Sequence, residues 1–266
     1  MPETKVDWPK LLDEALTAPG NLGNVYSRFH DYSITNMLLF LMQGIREPVA
    51  SYSRWKSLGR QVVRGARAKQ VIVPVLVNEQ PPEEEELEEP IEEKRERIAR
   101  LIGFKLINGV FALSDTDGPE LAPKAARGWD LQTALDKLGV HEVPFNNTNG
   151  NLQGYSHGLE YAVNPIAVNR DKTIFHELGH IVLGHTLGRA LVGAEMHRGI
   201  REFQAEATAY LCMNELELMD DETASHSRGY IRHWLGVEQP DDKAIQRVFR
   251  AADAILRAGR VVEATP

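Results

Sequence analysis

Residues 176–185 read HELGHIVLGH, and the interpretation of the rest of the chain depends on this stretch. Residues four apart lie on one face of an α-helix, so His176 and His180 can present two imidazoles to one metal ion. Glu177 lies about a hundred degrees round the helix, where its carboxylate can reach a water rather than the metal. Zinc lowers the pKa of such a water to about 7. The stretch therefore predicts a zinc-binding helix in which Glu177 is the catalytic base for attack on a carbonyl carbon.

A catalytic zinc usually takes three protein ligands, so a third must come from another part of the chain. His185 is a candidate, but Gly184 and His185 each miss by one residue the places that the long metzincin signature requires. A better source is the segment Gly199–Tyr210, because Glu202 and Glu206 lie one helical turn apart and face one direction. One glutamate can bind the ion while the other accepts a hydrogen bond from a ligating histidine. The sequence slightly favours Glu202 as the ligand and leaves the choice open.

The composition of the 266-residue chain is that of an ordinary folded protein, with 42% hydrophobic residues. No run approaches the roughly 18 consecutive apolar residues of a membrane-spanning helix. The first ten residues have no apolar core of the kind a secretory signal needs. A single cysteine, Cys212, excludes an internal disulfide and fits a reducing compartment. We therefore expect a cytoplasmic protein with no membrane partner.

The net charge of −8 conceals two segments of opposite sign. Residues 51–78 hold six basic residues and no acidic one, whereas residues 79–97 hold ten glutamates and three basic residues. A Pro/Glu tract of this kind cannot bury enough apolar surface to fold alone. We predict that it is a solvated acidic insertion, at about residues 79–97, between two strands of a first domain.

Apolar spacing outlines the remaining elements. The segment Val71–Val77 predicts a strand, placed at a sheet edge because Pro74 cannot donate a hydrogen bond, and a second strand is predicted at Phe104–Leu113. Helices are predicted at Trp8–Leu16, Ser33–Gln43, Trp129–Leu138, the metal-binding stretch, Ile200–Leu218 and Asp241–Ala258. The predicted fold class is α+β: a small α/β domain over residues 1–125 and a mainly helical domain over residues 126–266.

Two resemblances add to this reading. The HELGHIVLGH stretch, followed by an E-x-x-A-E helix, resembles the metallopeptidase domain of the ImmA/IrrE group over roughly Trp129–Leu218. That group is similar to gluzincins such as thermolysin, in which a glutamate of a later helix is the third zinc ligand. The resemblance implies a zinc metallopeptidase domain with His176 and His180 as ligands, Glu177 as base and Glu202 or Glu206 as the third ligand. Manganese or another divalent ion would also suit such ligands.

The N-terminal half carries a second set of motifs. The pattern W-x-x-L-G-x-x-V-x-x-G at residues 55–65, Tyr-Ser-x-x-Asn at residues 32–36 and the strand and turn at residues 103–118 resemble the N-terminal domain of ArdC-type antirestriction proteins. That resemblance implies a domain that binds single-stranded DNA, followed by a metallopeptidase-like domain. Bases stack on aromatic side chains while cations follow the phosphates, so we expect contacts from Tyr52, Arg54, Trp55, Lys56, Arg60, Arg64 and Lys69.

Three functions remain open at this stage. The protein could be a protease targeted by DNA, with an unknown protein or peptide substrate. It could be a DNA-binding protein with a structural or vestigial zinc site, in which protection of mobile DNA needs no proteolysis. It could also be a regulatory protease that cleaves a repressor, with an N-terminal half that binds protein. Antirestriction, or protection of mobile DNA, rests on the ArdC-type resemblance.

Overall fold

The computed structural model describes residues 6–17, 32–79, 98–121, 127–149, 151–187, 198–237 and 239–262. The fold is mixed α/β. Its helices are α1 (Trp8–Thr17), α2 (Ile34–Met42), α3 (Tyr52–Ser57), α4 (Leu131–Leu138), α5 (Arg170–Val182), α6 (Arg198–Glu215), α7 (Asp221–Val237) and α8 (Asp242–Ala258). The strands are β1 (Val49–Ala50), β2 (Gln61–Val62), β3 (Lys69–Glu79), β4 (Ile98–Ala112), β5 (Thr116–Asp117), β6 (Arg127–Trp129), β7 (His141–Glu142), β8 (Gly154–His157), β9 (Glu160–Val163) and β10 (Arg260–Val262).

A long antiparallel hairpin of β3 and β4 dominates the N-terminal half. Its register runs from Lys69 opposite Val110 to Glu79 opposite Ile98. Among the described strands the order is β1–β4–β3, so β3 is an edge strand, as Pro74 predicted. The predicted acidic insertion starts where β3 ends at Glu79 and stops just before β4, so it connects two paired strands. Residues 80–97 themselves lie outside the described part of the chain.

Side-chain amides of α2 and its C-cap cover the outer edge of β3. Asn36 donates to the carbonyl of Ile72 at 2.9 Å and accepts from its N–H at 2.8 Å. Gln43 makes the same pair of bonds with Gln70, at 3.0 and 2.9 Å. Both amides reach the edge because they lie seven residues apart on the helix, about two turns, while their partners lie two apart on the strand. The edge is therefore closed to pairing with another chain along this stretch.

The predicted helices are confirmed to within three residues at α1, α2, α6 and α8. The prediction for α4 began two residues early, because Trp129 lies in β6, which pairs with β10. The helix starts after Asp130, whose Oδ1 accepts from the N–H of Thr133 at 2.7 Å. The prediction of a mainly helical C-terminal half missed the sheet β7–β9–β8. Its strands of two to four residues are too short to display alternation.

One continuous cluster of buried apolar side chains draws on both halves of the chain. Hydrogen bonds also cross between the halves: the Tyr210 hydroxyl donates to the carbonyl of Leu16 at 3.2 Å, and the Ile34 N–H donates to Asp253 at 3.0 Å. The N-terminal helices thus pack against α6 and α8, and the division at residue 125 stays a prediction. Within the described ranges, no helix combines the length and apolar content needed to cross a bilayer.

Candidate functional site

Helices α5 and α6 approach each other closely at Gly179. A Cβ at this position would lie 3.2 Å from both the Cα and the carbonyl oxygen of Ala205, so only glycine permits this separation without a shift. A small residue on each helix, Gly179 of α5 and Ala205 of α6, therefore lies at the point of closest approach. The close crossing brings the histidines of α5 within reach of the glutamates of α6.

The side chains of His176, His180 and Glu202 converge on one point. Nε2 of His176 lies 3.2 Å from Nε2 of His180, and Oε2 of Glu202 lies 3.5 and 3.6 Å from these two nitrogens. A tetrahedral ion with bonds of about 2.1 Å needs ligand atoms about 3.4 Å apart. Among the described residues these three are the group that could hold a metal ion, and their spacing fits one.

Glu206 stands outside this triangle and holds His176 from its other ring nitrogen. Its Oε2 lies 3.3 Å from Nδ1 of His176. Its other oxygen accepts from Nζ of Lys172 at 2.8 Å and from the hydroxyl of Ser227 at 2.6 Å. The sequence left the choice between these two glutamates open. The structure places Glu202 near Nε2 of both histidines, whereas Glu206 contacts Nδ1 of His176. A hydrogen-bond acceptor at that second nitrogen is common for histidines that bind metals.

The electrostatics of the cluster favour a cation. Burial lowers the pKa of His176, but the hydrogen bonds that His176 donates to Glu202 and Glu206 outweigh it and raise the pKa to about 9. The hydrogen bonds from His176 and His180 hold the pKa of Glu202 well below its usual range. Burial raises the pKa of Glu206, yet its bonds to His176 and Lys172 bring it down to about 2. Both carboxylates are therefore charged at neutral pH, and a metal ion would compete with the proton of His176.

Glu177 is buried beside the triangle and is oriented by β8. The hydroxyl of Ser156 donates to its Oε2 at 2.6 Å. This hydrogen bond from β8 occupies Oε2 of the Glu177 carboxylate. Among the described residues, Glu177 lies outside the group that could hold a metal ion.

A cleft of about 940 Å³ opens over the cluster. Its lining includes Gly154, Tyr155 and Ser156 of the edge strand β8, together with Arg201 of α6 and His226 of α7. The volume lies within the range of small-ligand and substrate sites. His176, Glu177 and His180 line this cleft, so a bound molecule can reach them.

His185 is not a member of the triangle. Its Nδ1 lies 3.0 Å from Nδ1 of His180, the nitrogen that faces away from the other ligand atoms, and its Nε2 lies 3.0 Å from Oε1 of Gln204. Burial, together with the charge of His180, lowers the pKa of His185 to about 4. His185 therefore contacts His180 from behind and lies outside the group of described residues that could hold a metal ion.

Two of the residues expected to contact DNA have structural roles. Trp55 is fully buried and its indole N–H donates to the carbonyl of Phe111 at 2.9 Å. The expectation that Trp55 stacks on a base is therefore wrong, because its ring faces are covered by the core. Arg60 donates to the hydroxyl and carbonyl of Thr116, both at 2.8 Å, and to the carbonyl of Gly118 at 3.0 Å. These bonds tie the start of β2 to β5 and to the turn after it.

The other expected DNA contacts lie on the surface. Tyr52 is 49% exposed, and Gln61 donates to its hydroxyl at 2.8 Å, which fixes the direction of the ring. Arg54, Lys56 and Arg64 are exposed. Lys69 is partly buried, and its Nζ lies 3.5 Å from Asp115. Together these residues form an aromatic and basic surface around α3 and β2.

Sequence reasoning missed several residues that support the site. Ser156 carries no signal in the sequence, because its strand was not predicted, and Ser227 and Gln204 come from positions that only the helix packing brings close. Lys172 had a detectable signal: it lies four residues before His176 and thus on the same helix face.

Comparison with known proteins finds one matching family and two similar crystal structures. Residues 5–106 match the family model of the N-terminal domain of anti-restriction factor ArdC. No curated protein matches the chain. The metal-free crystal structure of the antirestriction protein ArdC from plasmid R388 is similar, with a TM-score of 0.51 and 19% identity over 96% of each chain. Its Mn(II)-bound structure has a TM-score of 0.50 and 19% identity over 96% of this chain and 98% of that one.

The family match lies in the N-terminal half, so the resemblance of the C-terminal half to the ImmA/IrrE group and to gluzincins stays a prediction. The structural likeness extends over nearly the whole chain, including the helices that carry the candidate metal ligands. Residues 5–106 are thus of the ArdC N-terminal type, and the chain as a whole has the fold of an ArdC antirestriction protein.

Proposed function

We propose that this protein is an antirestriction protein that binds single-stranded DNA and hydrolyses peptide bonds at a zinc centre. The observation that carries the catalytic part is the triangle of His176, His180 and Glu202 on the floor of an open cleft, with Glu177 beside it. The family match at residues 5–106 supports the DNA-binding part. The likeness to an antirestriction protein supports the biological role, which is protection of mobile DNA from host restriction.

His176, His180 and Glu202 are the residues that hold the ion in this proposal. Their ligand atoms lie 3.2–3.6 Å apart, which favours tetrahedral zinc. An octahedral ion with bonds of about 2.2 Å would draw adjacent ligand atoms to about 3.1 Å. The Mn(II)-bound structure of the R388 protein makes manganese the alternative to be tested. Zinc, when bound, makes a water nucleophilic near neutral pH.

Glu177 is the general base. Ser156 occupies its Oε2, so Oε1 is the oxygen that takes the proton from the attacking water and passes it to the leaving amine. The hydrogen bond from Ser156 fixes the carboxylate plane before substrate binds, and preorganisation of this kind lowers the cost of reaching the transition state. The substrate is a peptide segment that fits along the cleft between β8 and α7.

Single-stranded DNA binds at the surface around α3 and β2. Tyr52 offers an exposed ring for base stacking, and Arg54, Lys56 and Arg64 offer exposed cations for the phosphates. Arg60 and Trp55 hold this surface in shape from beneath. Each phosphate contact that is lost should reduce the slope of log K against log salt by about 0.7 for a single strand.

The test of catalysis is the substitution Glu177→Gln in the zinc-loaded protein, assayed on a fluorogenic peptide library with and without a single-stranded oligonucleotide. We expect the wild-type protein to cleave and the variant to be inactive with its zinc content unchanged. A variant that loses zinc would show that Glu177 is a ligand. A wild-type protein that binds zinc but cleaves nothing would indicate a non-catalytic metal site.

The DNA-binding part is tested separately by fluorescence anisotropy of a labelled oligonucleotide at two salt concentrations, with duplex as the control. We expect tight binding that prefers single strands and weakens with salt. The triple substitution of Tyr52, Arg54 and Lys56 by alanine should remove it. Binding that survives this substitution would place the DNA elsewhere on the protein.

A further inference from the structure

We propose that His185 and Gln204 form a hydrogen-bonded relay that sets the tautomer of His180 and aims its Nε2 at the metal position. The proposal rests on the metal-binding role assigned to His180 above. It gives a function to the last histidine of the HELGHIVLGH stretch, which lines the cleft but lies outside the group that could hold the metal ion.

The relay begins at a backbone carbonyl, which can only accept hydrogen bonds. Nε2 of Gln204 lies 3.0 Å from the carbonyl oxygen of Ala244 in α8. The amide group of Gln204 must face this oxygen with its NH₂, because the reverse orientation would set two acceptors against each other. Gln204 is fully buried, so no solvent can relieve such a conflict. Its Oε1 therefore faces His185.

The orientation of Gln204 determines which ring nitrogen of His185 carries the proton. Oε1 of Gln204 is an acceptor at 3.0 Å from Nε2 of His185, so this nitrogen carries the proton. In a neutral imidazole the other nitrogen is then unprotonated. Nδ1 of His185, 3.0 Å from Nδ1 of His180, is thus an acceptor, and His180 donates to it. This leaves the lone pair of His180 on Nε2.

That lone pair lies where a metal ligand needs it. Nε2 of His180 is 3.2 Å from Nε2 of His176 and 3.6 Å from Glu202. The opposite tautomer of His180 would put a hydrogen into the triangle and exclude the ion. The two ligating histidines are thus held by different partners, His176 by the carboxylate of Glu206 and His180 by a neutral chain that ends on the backbone.

The local chain is shaped to place His185. Helix α5 ends at Val182. Gly184 follows with a φ of 77°, a left-handed conformation that is unfavourable for residues with a Cβ. The turn brings the N–H of His185 to 2.9 Å from the carbonyl oxygen of His180. Arg247 of α8 donates to the carbonyl of Leu183 and pins the turn to the same helix that anchors Gln204.

The first measurement is the tautomer itself, read by ¹H–¹⁵N NMR of the imidazoles in metal-free and zinc-loaded protein. We expect the proton on Nε2 of His185 and on Nδ1 of His180 in both. A proton on Nδ1 of His185 overturns the relay. Because the metal-free spectrum gives this result by itself, the relay can be judged even if the wild-type protein fails to bind zinc, an outcome that would refute only the proposed function.

The second measurement is zinc affinity, by competition with a chromogenic chelator. His185→Phe keeps the ring but removes the acceptor, and it should weaken zinc binding about 10- to 100-fold. His185→Asn carries an oxygen near the position of Nδ1 and should stay within a few-fold of wild type. His141→Phe makes the same change at an exposed position of β7, outside the cleft and the relay, and should leave the affinity unchanged. Equal affinities for His185→Phe and wild type, with equal unfolding midpoints of the metal-free proteins, would refute the relay.

Discussion

The ion-pair network around Glu206 should make a measurable contribution to the stability of the metal-free protein. The carboxylate accepts from His176, Lys172 and Ser227, and these bonds lower its pKa from 4.5 to about 2 despite its burial. A pKa difference of that size between folded and unfolded chains corresponds to about 3 kcal/mol in the free energy of unfolding. Glu206→Gln keeps the shape and removes the charge, so it should lose about this amount at pH 7.

The pH dependence separates a charge effect from a packing effect. Because folding lowers this pKa, the contribution is complete above 4.5 and is lost as the pH falls toward 2. The difference between wild type and Glu206→Gln should therefore shrink from about 3 kcal/mol at pH 7 to about 2 kcal/mol at pH 3.5. Urea denaturation in the presence of a chelator, followed by circular dichroism at both pH values, measures it. Glu160→Gln, at an exposed position of β9, is the control and should change stability by less than about 0.5 kcal/mol.

Two results would refute this reasoning. Equal stability of Glu206→Gln and wild type at pH 7 would mean that desolvation of the carboxylate cancels its hydrogen bonds. A loss that stays constant down to pH 3.5 would mean that the substitution disturbs packing rather than charge. The same variant should also bind zinc about 10- to 100-fold more weakly, because His176 loses the acceptor that orients it.

Four further predictions test other parts of the protein. Gly179→Ala should force α5 and α6 apart and cost about 1–3 kcal/mol, with weaker zinc binding by calorimetry, because its Cβ would lie 3.2 Å from Ala205. Trp55→Ala should lower the free energy of unfolding by about 3–5 kcal/mol in denaturant titrations, as expected of a buried ring. Tyr52→Ala should instead leave stability nearly unchanged and weaken oligonucleotide binding by about 1–3 kcal/mol in anisotropy titrations. A loss of stability in Tyr52→Ala together with a loss of DNA binding in Trp55→Ala would contradict the roles given to these two residues. Asn36→Leu should cost about 1–3 kcal/mol of unfolding free energy, since it leaves both backbone groups of Ile72 without their partners.

Local rules predicted much of this protein. Helical spacing alone places His176 and His180 on one face of α5, because positions four apart coincide on any α-helix. Pro74 alone marks β3 as an edge strand, because a residue without an N–H cannot serve an interior strand. The first residues of α2 and α8 follow from Ser33 and Asp241, the N-cap residues, whose side chains accept from N–H groups of the first turn. Each of these properties depends on residues within one or two turns of each other.

Contacts between distant segments decided the rest. Glu202 and Glu206 are equivalent by helical spacing, and only the crossing at Gly179, with Ser227 of α7 behind Glu206, distinguishes them. Basic and aromatic composition could not separate Trp55 from Tyr52, because burial depends on what β4 places against each ring. The sequence thus determined which residues could bind a metal ion, since ligand spacing on one helix is local. The tertiary structure decided which of them meet and what holds them, since Glu202, Glu206 and Ser156 come from elements remote in the chain from the histidine helix.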